Sequence, residues 1–412
     1  MSIDTILCKF HKLLTPQRMK YPYIVAGFLW LGWIISIIAG EGNADLTGTL
    51  VGTDFSAFYS AAKIVLSGNS QNLYDLFTTN AIQQELYSET LSGITLFLNP
   101  PHFALLMVPF GLLPYLPAVL LWMTLGICSL WYSIRLISER GFFRIFILSL
   151  TWLPVFAAVS FGQNSFFTLL IFCLTYYFLK REKSFVAGLI FSLLLYKPQY
   201  LLFLGFLWLL KARKNKFALI GLGLGLLLQI GFNLLLLPEA SSAYIDYFLN
   251  VSPKLTQLDG FPVWNTFSTK TFWEMLLPNA VNVSQVLYLL GLIFGLVGFL
   301  VIWRRYSDDL RIIFSVMIVW MIWSLPYISL YDWTVLIIPA TLLWDRLPDH
   351  SFHLRSIYAF IWLITLISNS LAFIQYKYLG FAIQLSVPAL LISVLILYFI
   401  VFKGEKFQLR EI

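Results

Sequence analysis

The run "YIVAGFLWLGWIISIIAG", residues 23–40, holds no charged residue. As a helix rising about 1.5 Å per residue it reaches close to the ~30 Å thickness of a bilayer's hydrocarbon core. Similar runs recur along all 412 residues, separated by short charged clusters. The chain is 59% hydrophobic and only 11% charged, too little polar surface to cover a soluble fold of this length. The runs are continuous instead of alternating with period two, which argues against a β-barrel. The first run has no small-residue cleavage site and is long for a signal peptide, so it reads as a retained span. The expected fold class is an all-α polytopic membrane protein.

Charge orients it. Basic residues cluster at 9–20, 135–144, 180–183, 211–216, 304–311, 346–355 and 403–410. One topology, with a cytoplasmic N-terminus, puts every cluster on the cytoplasmic side. It places spans near 21–40, 115–137, 142–161, 165–180, 184–196, 200–212, 217–237, 280–303, 311–329, 332–345, 355–375 and 380–402. The net charge of +7 is thereby an orientation signal and not a nucleic-acid patch. The expected location is the inner or plasma membrane, with both termini cytoplasmic: 1–20 leading in, and 403–412 as a tail. The three cysteines form no framework, with Cys8 ahead of the first span and Cys128 and Cys173 inside apolar segments. The four histidines lack metal-ligand spacing.

Two regions fall outside the spans within this single membrane domain. The first, 41–114, contains "DFSAFYSAAKIVLSGN" and "LYDLFTTNAIQQELYSE", both with the pattern of amphipathic helices along a surface. The second, 238–279, is polar and aromatic. Several spans are also short. A helix over 184–196 reaches only about 20 Å, so the turn "YKPQY" (196–200) should lie below the outer surface. Backbone that breaks at such a depth survives where it lines protein or a wet cavity. "FGQNS" (161–165) and "PYISLYDW" (326–333) join spans on the same side. Together these turns imply a polar cavity open to the outside.

Asp54, in "GTDFSAFYSAAK" (52–63), stands at the mouth of that cavity. The plain reading is a helix N-cap; the functional one is a general base, and a capping carboxylate held in place serves both. Lys197 is the second candidate, since an ammonium in an apolar segment needs an anion or water. It either snorkels to the interface or binds a phosphate as a point charge, with Gln163, Asn164 and Gln199 adding neutral hydrogen bonds. Asp332, beside Tyr331, either caps a span or joins the site. Tyr59, Trp264 and Phe261 offer sugar-stacking faces, although the aromatic load is mostly belt and packing. Tyr59, Asn99, His102, Tyr331 and Asp332 are the candidates for substrate contact. No phosphate-binding loop, nucleophile elbow or metalloprotease motif occurs in a supporting context.

The ordered blocks "GTDFSAFYSAAKIVLSGNSQNLYD" (52–75), "NPPHFALLMVPFGLLP" (99–114), "FGQNSFFTLL" (161–170), "YKPQYLLFL" (196–204) and "SLPYISLYDWTVLIIP" (324–339) resemble glycosyltransferase family 87, a branch of the GT-C superfamily. The resemblance covers roughly residues 20–345. It implies a GT-C-like fold of about twelve transmembrane segments, with amphipathic helices in a long first outer loop. It also implies transfer of mannose or a related hexose from a polyprenyl-phosphate donor to an extracytoplasmic glycan, lipid or protein. The expected chemistry is a direct displacement with inversion that calls for no cofactor, with dependence on a divalent metal left open. The acidic residue of the first outer loop, matched here by Asp54, is the catalytic base of that superfamily. The lysine-proline-glutamine turn matches Lys197, Pro198 and Gln199. Where the family often has a histidine before the aspartate, this chain has Tyr331 before Asp332.

Two rival classes compete with this reading. A carrier or flippase would pair broken helices in corresponding halves, and no such pairing is visible. A ligase or polymerase using the same lipid donors would differ in acceptor more than in chemistry.

Overall fold

The computed structural model describes residues 12–87, 94–251, 261–344 and 352–395. The expected tail at 403–412 lies outside the described residues, as do residues 1–11, most of the basic cluster at 346–355 and the stretch 252–260 of the second loop. Among the described residues the chain is helical and forms no strand, only the isolated bridges Ala44–Leu50 and Thr266–Ser329.

The helices that matter follow in chain order. The first part of the chain forms α1 (Tyr21–Ile38), α2 (Phe55–Leu66), α3 (Leu76–Leu86), α4 (Pro101–Gly111) and α5 (Tyr115–Ile137). The middle forms α6 (Phe142–Leu150), α7 (Leu153–Ser160), α8 (Ser165–Lys180), α9 (Ser184–Ser192), α10 (Leu201–Leu210), α11 (Lys216–Leu236) and α12 (Pro238–Asn250). The last part forms α13 (Thr269–Leu276), α14 (Val281–Tyr306), α15 (Leu310–Ser324), α16 (Ile337–Trp344) and α17 (Phe352–Leu379).

Five of these, α1, α5, α11, α14 and α17, contain stretches long and apolar enough to cross a membrane. The pair α6–α7 is bent by 69° and would make a sixth span if counted as one. The described residues thus form the helical framework of a membrane protein. Of the other segments expected as spans, 165–180 and 184–196 hold the shorter helices α8 (16 residues) and α9 (9 residues), while 380–402 is described only as far as residue 395.

The chain divides into two compact units, one comprising residues 1–29, 138–156 and 262–412, the other 30–137 and 157–261. In the second unit α2 departs from expectation. Instead of lying along a surface, it is buried on nearly every side, with Phe55 and Ala62 wholly enclosed. Its small residues Ala57, Ser60, Ala61 and Ala62 allow close approach, and a methyl built on Gly111 of α4 would lie 2.9 Å from Ala62 Cβ. On α3, by contrast, Phe77 is 85% exposed. Around α2 the aromatic side chains interlock: Phe55 packs on Tyr115 at 5.7 Å and Phe58 on Phe103 at 5.2 Å between ring centres.

Glycine brings α9 against α11. A methyl on Gly188 would fall 1.9 Å from the Ala218 carbonyl oxygen, and one on Gly221 2.1 Å from that of Phe185. This is the small-residue contact by which membrane helices meet without side chains between them. At the end of that contact Gln229 of α11 donates to the Ser192 carbonyl at 3.0 Å. The helix then breaks. Leu193–Tyr196 and Pro198–Tyr200 are single 3₁₀ turns, and Lys197 between them has φ −132° and ψ 72°. Pro198 excludes the helical conformation for the residue before it, which explains why the break falls at Lys197.

Candidate active site

Asp54 occupies the N-cap position of α2, yet its side chain makes no capping hydrogen bond. The carboxylate turns instead to another segment, where Gln163 Nε2 donates to its Oδ2 at 2.7 Å. Its backbone N–H, with that of Phe55, donates to the Phe161 carbonyl at 3.0 and 3.2 Å. Asp54 is therefore tied to the turn 161–164 through both main chain and side chain. Half-buried, it is neither sealed away nor fully solvated.

Two glycines make that junction possible. Gly52 has φ +69° and Gly162 φ +67°, a backbone conformation that side chains disfavour. A methyl on Gly162 would lie 2.7 Å from Phe55 Cβ, and one on Gly52 2.5 Å from Val119 Cγ2. Helix α5 clamps both loops. Trp122 Nε1 donates to the Gly162 carbonyl at 2.9 Å, and the Tyr115 hydroxyl lies 2.9 and 3.0 Å from the carbonyls of Val51 and Gly52. The Gln163 amide is locked at its other end, since Oε1 accepts from Asn164 N–H at 3.1 Å. Asn164 is buried, and its Oδ1 meets no partner among the described residues.

Lys197 belongs to the same compact unit. Its neighbour Tyr196 anchors the turn in three ways. The Tyr196 hydroxyl shares a 2.6 Å hydrogen bond with Thr168 Oγ1, its carbonyl accepts from Asn99 Nδ2 at 2.8 Å, and its ring stacks on Phe103 at 5.1 Å. Phe103 packs in turn on Phe58 of α2. The Asp54 helix, the Asn99 corner and the Lys197 turn thus form one packed framework. Lys197 Nζ lies 5.7 Å from the centre of the Tyr200 ring. Gln199 is exposed.

The remaining candidates divide. Asn99 is 8% exposed, and its carbonyl accepts from the Tyr74 hydroxyl at 2.8 Å. His102, 6% exposed, shares a 3.1 Å hydrogen bond between its Nδ1 and Asn233 Nδ2, with the donor set by the ring's tautomer. It lies in the first turn of α4, outside the five long helices, and burial pushes its pKa down to about 4, so the ring is neutral. Tyr59 is enclosed, with its hydroxyl donating to the Leu113 carbonyl at 2.9 Å, and burial raises its phenol's pKa. A ring so placed fixes α2 against the end of α4. Sequence reasoning passed over Asn233, although an amide in an otherwise apolar helix is the kind of signal that marks a functional contact.

Tyr331 and Asp332 lie in the other unit. There Asp332 Oδ2 accepts from the Ser329 N–H at 3.2 Å and closes a capping box on the turn Leu330–Leu336. Trp264 of that unit packs its ring on Phe373 at 5.3 Å and Tyr376 at 6.1 Å, and Phe261 is half-buried. The unit also carries an apolar pocket of about 270 Å³ lined by side chains such as Leu148, Trp152, Val319, Leu336 and Ile361. Among the described residues no group of three or more His, Cys, Asp or Glu is placed to hold a metal ion.

Comparison with known proteins adds one finding. The sequence profile described as glycosyltransferase family 87 matches residues 97–327, more than half of the chain. No curated protein and no solved structure matches it.

Proposed function

Since the chain belongs to glycosyltransferase family 87, we propose that it transfers a hexose, mannose being the first choice, from a polyprenyl-phosphate donor to an acceptor outside the cytoplasm, by direct displacement with inversion. The observation that carries this reading is the half-buried Asp54 carboxylate, released from helix capping and fixed in the same framework as the Lys197 turn. Asp54 takes the proton from the acceptor hydroxyl as that oxygen attacks the anomeric carbon. Lys197 stabilises the departing lipid phosphate as a point charge. A phosphate is already a weak base when it leaves, so no general acid is required.

Asn99 and His102 serve the site through the Tyr196 turn and the Asn233 contact, and Gln199 is the exposed residue of the turn. Tyr331 and Asp332 are assigned to the substrate's surroundings on the family resemblance alone.

Purified protein incubated with radiolabelled polyprenyl-phosphate mannose and a membrane extract tests the reading. The expected result is a labelled glycan, lipid or protein, with transfer abolished but donor binding kept in Asp54→Asn. Lys197→Ala should weaken donor binding. A wild-type protein that yields no labelled product, or an Asp54→Asn variant of full activity, overturns it.

A further inference from the structure

Gln163 was grouped on sequence with the phosphate-binding residues, but its geometry assigns it elsewhere. Both ends of its amide are engaged. Nε2 donates to Asp54 Oδ2 at 2.7 Å, while Oε1 accepts from the Asn164 N–H at 3.1 Å. A flip of the amide would set oxygen against carboxylate and NH₂ against N–H, so the two contacts together fix its orientation. The backbone that carries it is equally constrained. Gln163 N–H donates to the Ala158 carbonyl at 2.9 Å, Gly162 N–H to that of Val159 at 2.8 Å, and Trp122 holds the Gly162 carbonyl. An amide committed to one anion is poorly placed to recognise a second.

We infer that Gln163 is a positioning residue for Asp54: its hydrogen bond orients the carboxylate toward the acceptor hydroxyl and favours the ionised form that accepts a proton. This inference rests on the proposed role of Asp54 as base and deepens it. A hydrogen bond donated to a carboxylate is charge-assisted and lowers its proton affinity. It also removes rotational freedom that the base would otherwise have to lose in the transition state, and misplacement by about 1 Å can cost on the order of 10²-fold in rate.

Two substitutions separate this role from phosphate binding and from simple packing. Gln163→Leu keeps the bulk and deletes the donor. It should lower kcat by roughly 10²-fold, leave the KM for the lipid donor near the wild-type value and move the acid limb of the pH–rate profile to higher pH. Gln163→Glu replaces the amide with a group that donates only while protonated. Two carboxylates in contact share one proton over a wide pH range, so this variant should keep activity near neutrality and lose it on the alkaline side, where the pair ionises fully. Such a new alkaline limb is absent from any purely structural account, and Gln163→Glu supplies the test if Gln163→Leu does not fold.

The assay uses radiolabelled polyprenyl-phosphate mannose with the full chain in detergent, and includes wild type and Asp54→Asn. Wild-type transfer lost in Asp54→Asn, beside an unaltered kcat and pH profile in Gln163→Leu or no alkaline limb in Gln163→Glu, overturns the Gln163 role alone. A raised donor KM at constant kcat overturns it too, and returns Gln163 to the phosphate. Transfer that survives in Asp54→Asn overturns the reading beneath it.

Discussion

Gly162 touches Gly52: a methyl built on Gly162 would come within 3.5 Å of Gly52 Cα and 2.7 Å of Phe55 Cβ, and both glycines have positive φ. Where the Asp54 loop meets the Gln163 turn, a side chain on Gly162 would run into Phe55, and one on Gly52 into Val119 of α5. Gly162→Ala combines a disfavoured backbone conformation with a clash against a rigid Cβ. It is expected to destabilise the protein by at least about 2 kcal/mol and to lower transfer more than the stability loss accounts for, because the Asp54–Gln163 bond spans this contact. Thermal unfolding in detergent, read beside transfer activity, checks both. Unchanged values in Gly162→Ala would mean that the junction relaxes freely.

Asn99 reaches across 97 positions of sequence to donate to the Tyr196 carbonyl. That oxygen belongs to the 3₁₀ turn before Lys197, whose own geometry is set by Pro198. Asn99→Leu leaves a buried carbonyl without its donor, at about 1–3 kcal/mol. If the turn presents Lys197 to the lipid phosphate, the variant should show a KM for the donor raised several-fold with kcat less affected. A fall in kcat at constant KM would place Asn99 on the side of the base instead.

The break at Lys197 was legible in the sequence because two physical signs agree there: a helix too short to span and a proline after a lysine. The Asp54 loop was legible for a similar reason, as a carboxylate stranded beside an apolar run. Its partner was not. Gln163 lies 109 positions away, and no local pattern states that its amide meets a carboxylate and not a phosphate. The burial of α2 was not legible because a periodicity argument does not say what packs against a face of serine and alanine. In the fold Ala62 of that face meets Gly111 of α4, where a methyl would lie 2.9 Å from its Cβ. The number of spans was less legible. Among the described residues five helices are long and apolar enough to cross, and the bent pair α6–α7 would make a sixth. Hydropathy alone does not separate these from shorter apolar helices such as the 9-residue α9.

His102 offers a pH test independent of catalysis. Its imidazole is buried and neutral, with a pKa pushed down to about 4 from an ordinary value near 6.5. In the unfolded chain the ring binds a proton through that interval, while in the folded chain it does not. The stability it contributes is therefore complete above about pH 6.5 and is lost as the pH falls toward 4. A shift of this size corresponds to at most roughly 3 kcal/mol, enough to lower the unfolding temperature in detergent measurably between pH 7 and pH 5. The substitution His102→Gln cannot titrate, and its amide can still hydrogen-bond with Asn233. This variant should be less stable than wild type at pH 7 but show a flatter decline on acidification. Equal slopes in the two proteins would mean that the ring gains a proton in place, with water reaching Nε2, and that the acid sensitivity of the fold resides in other groups.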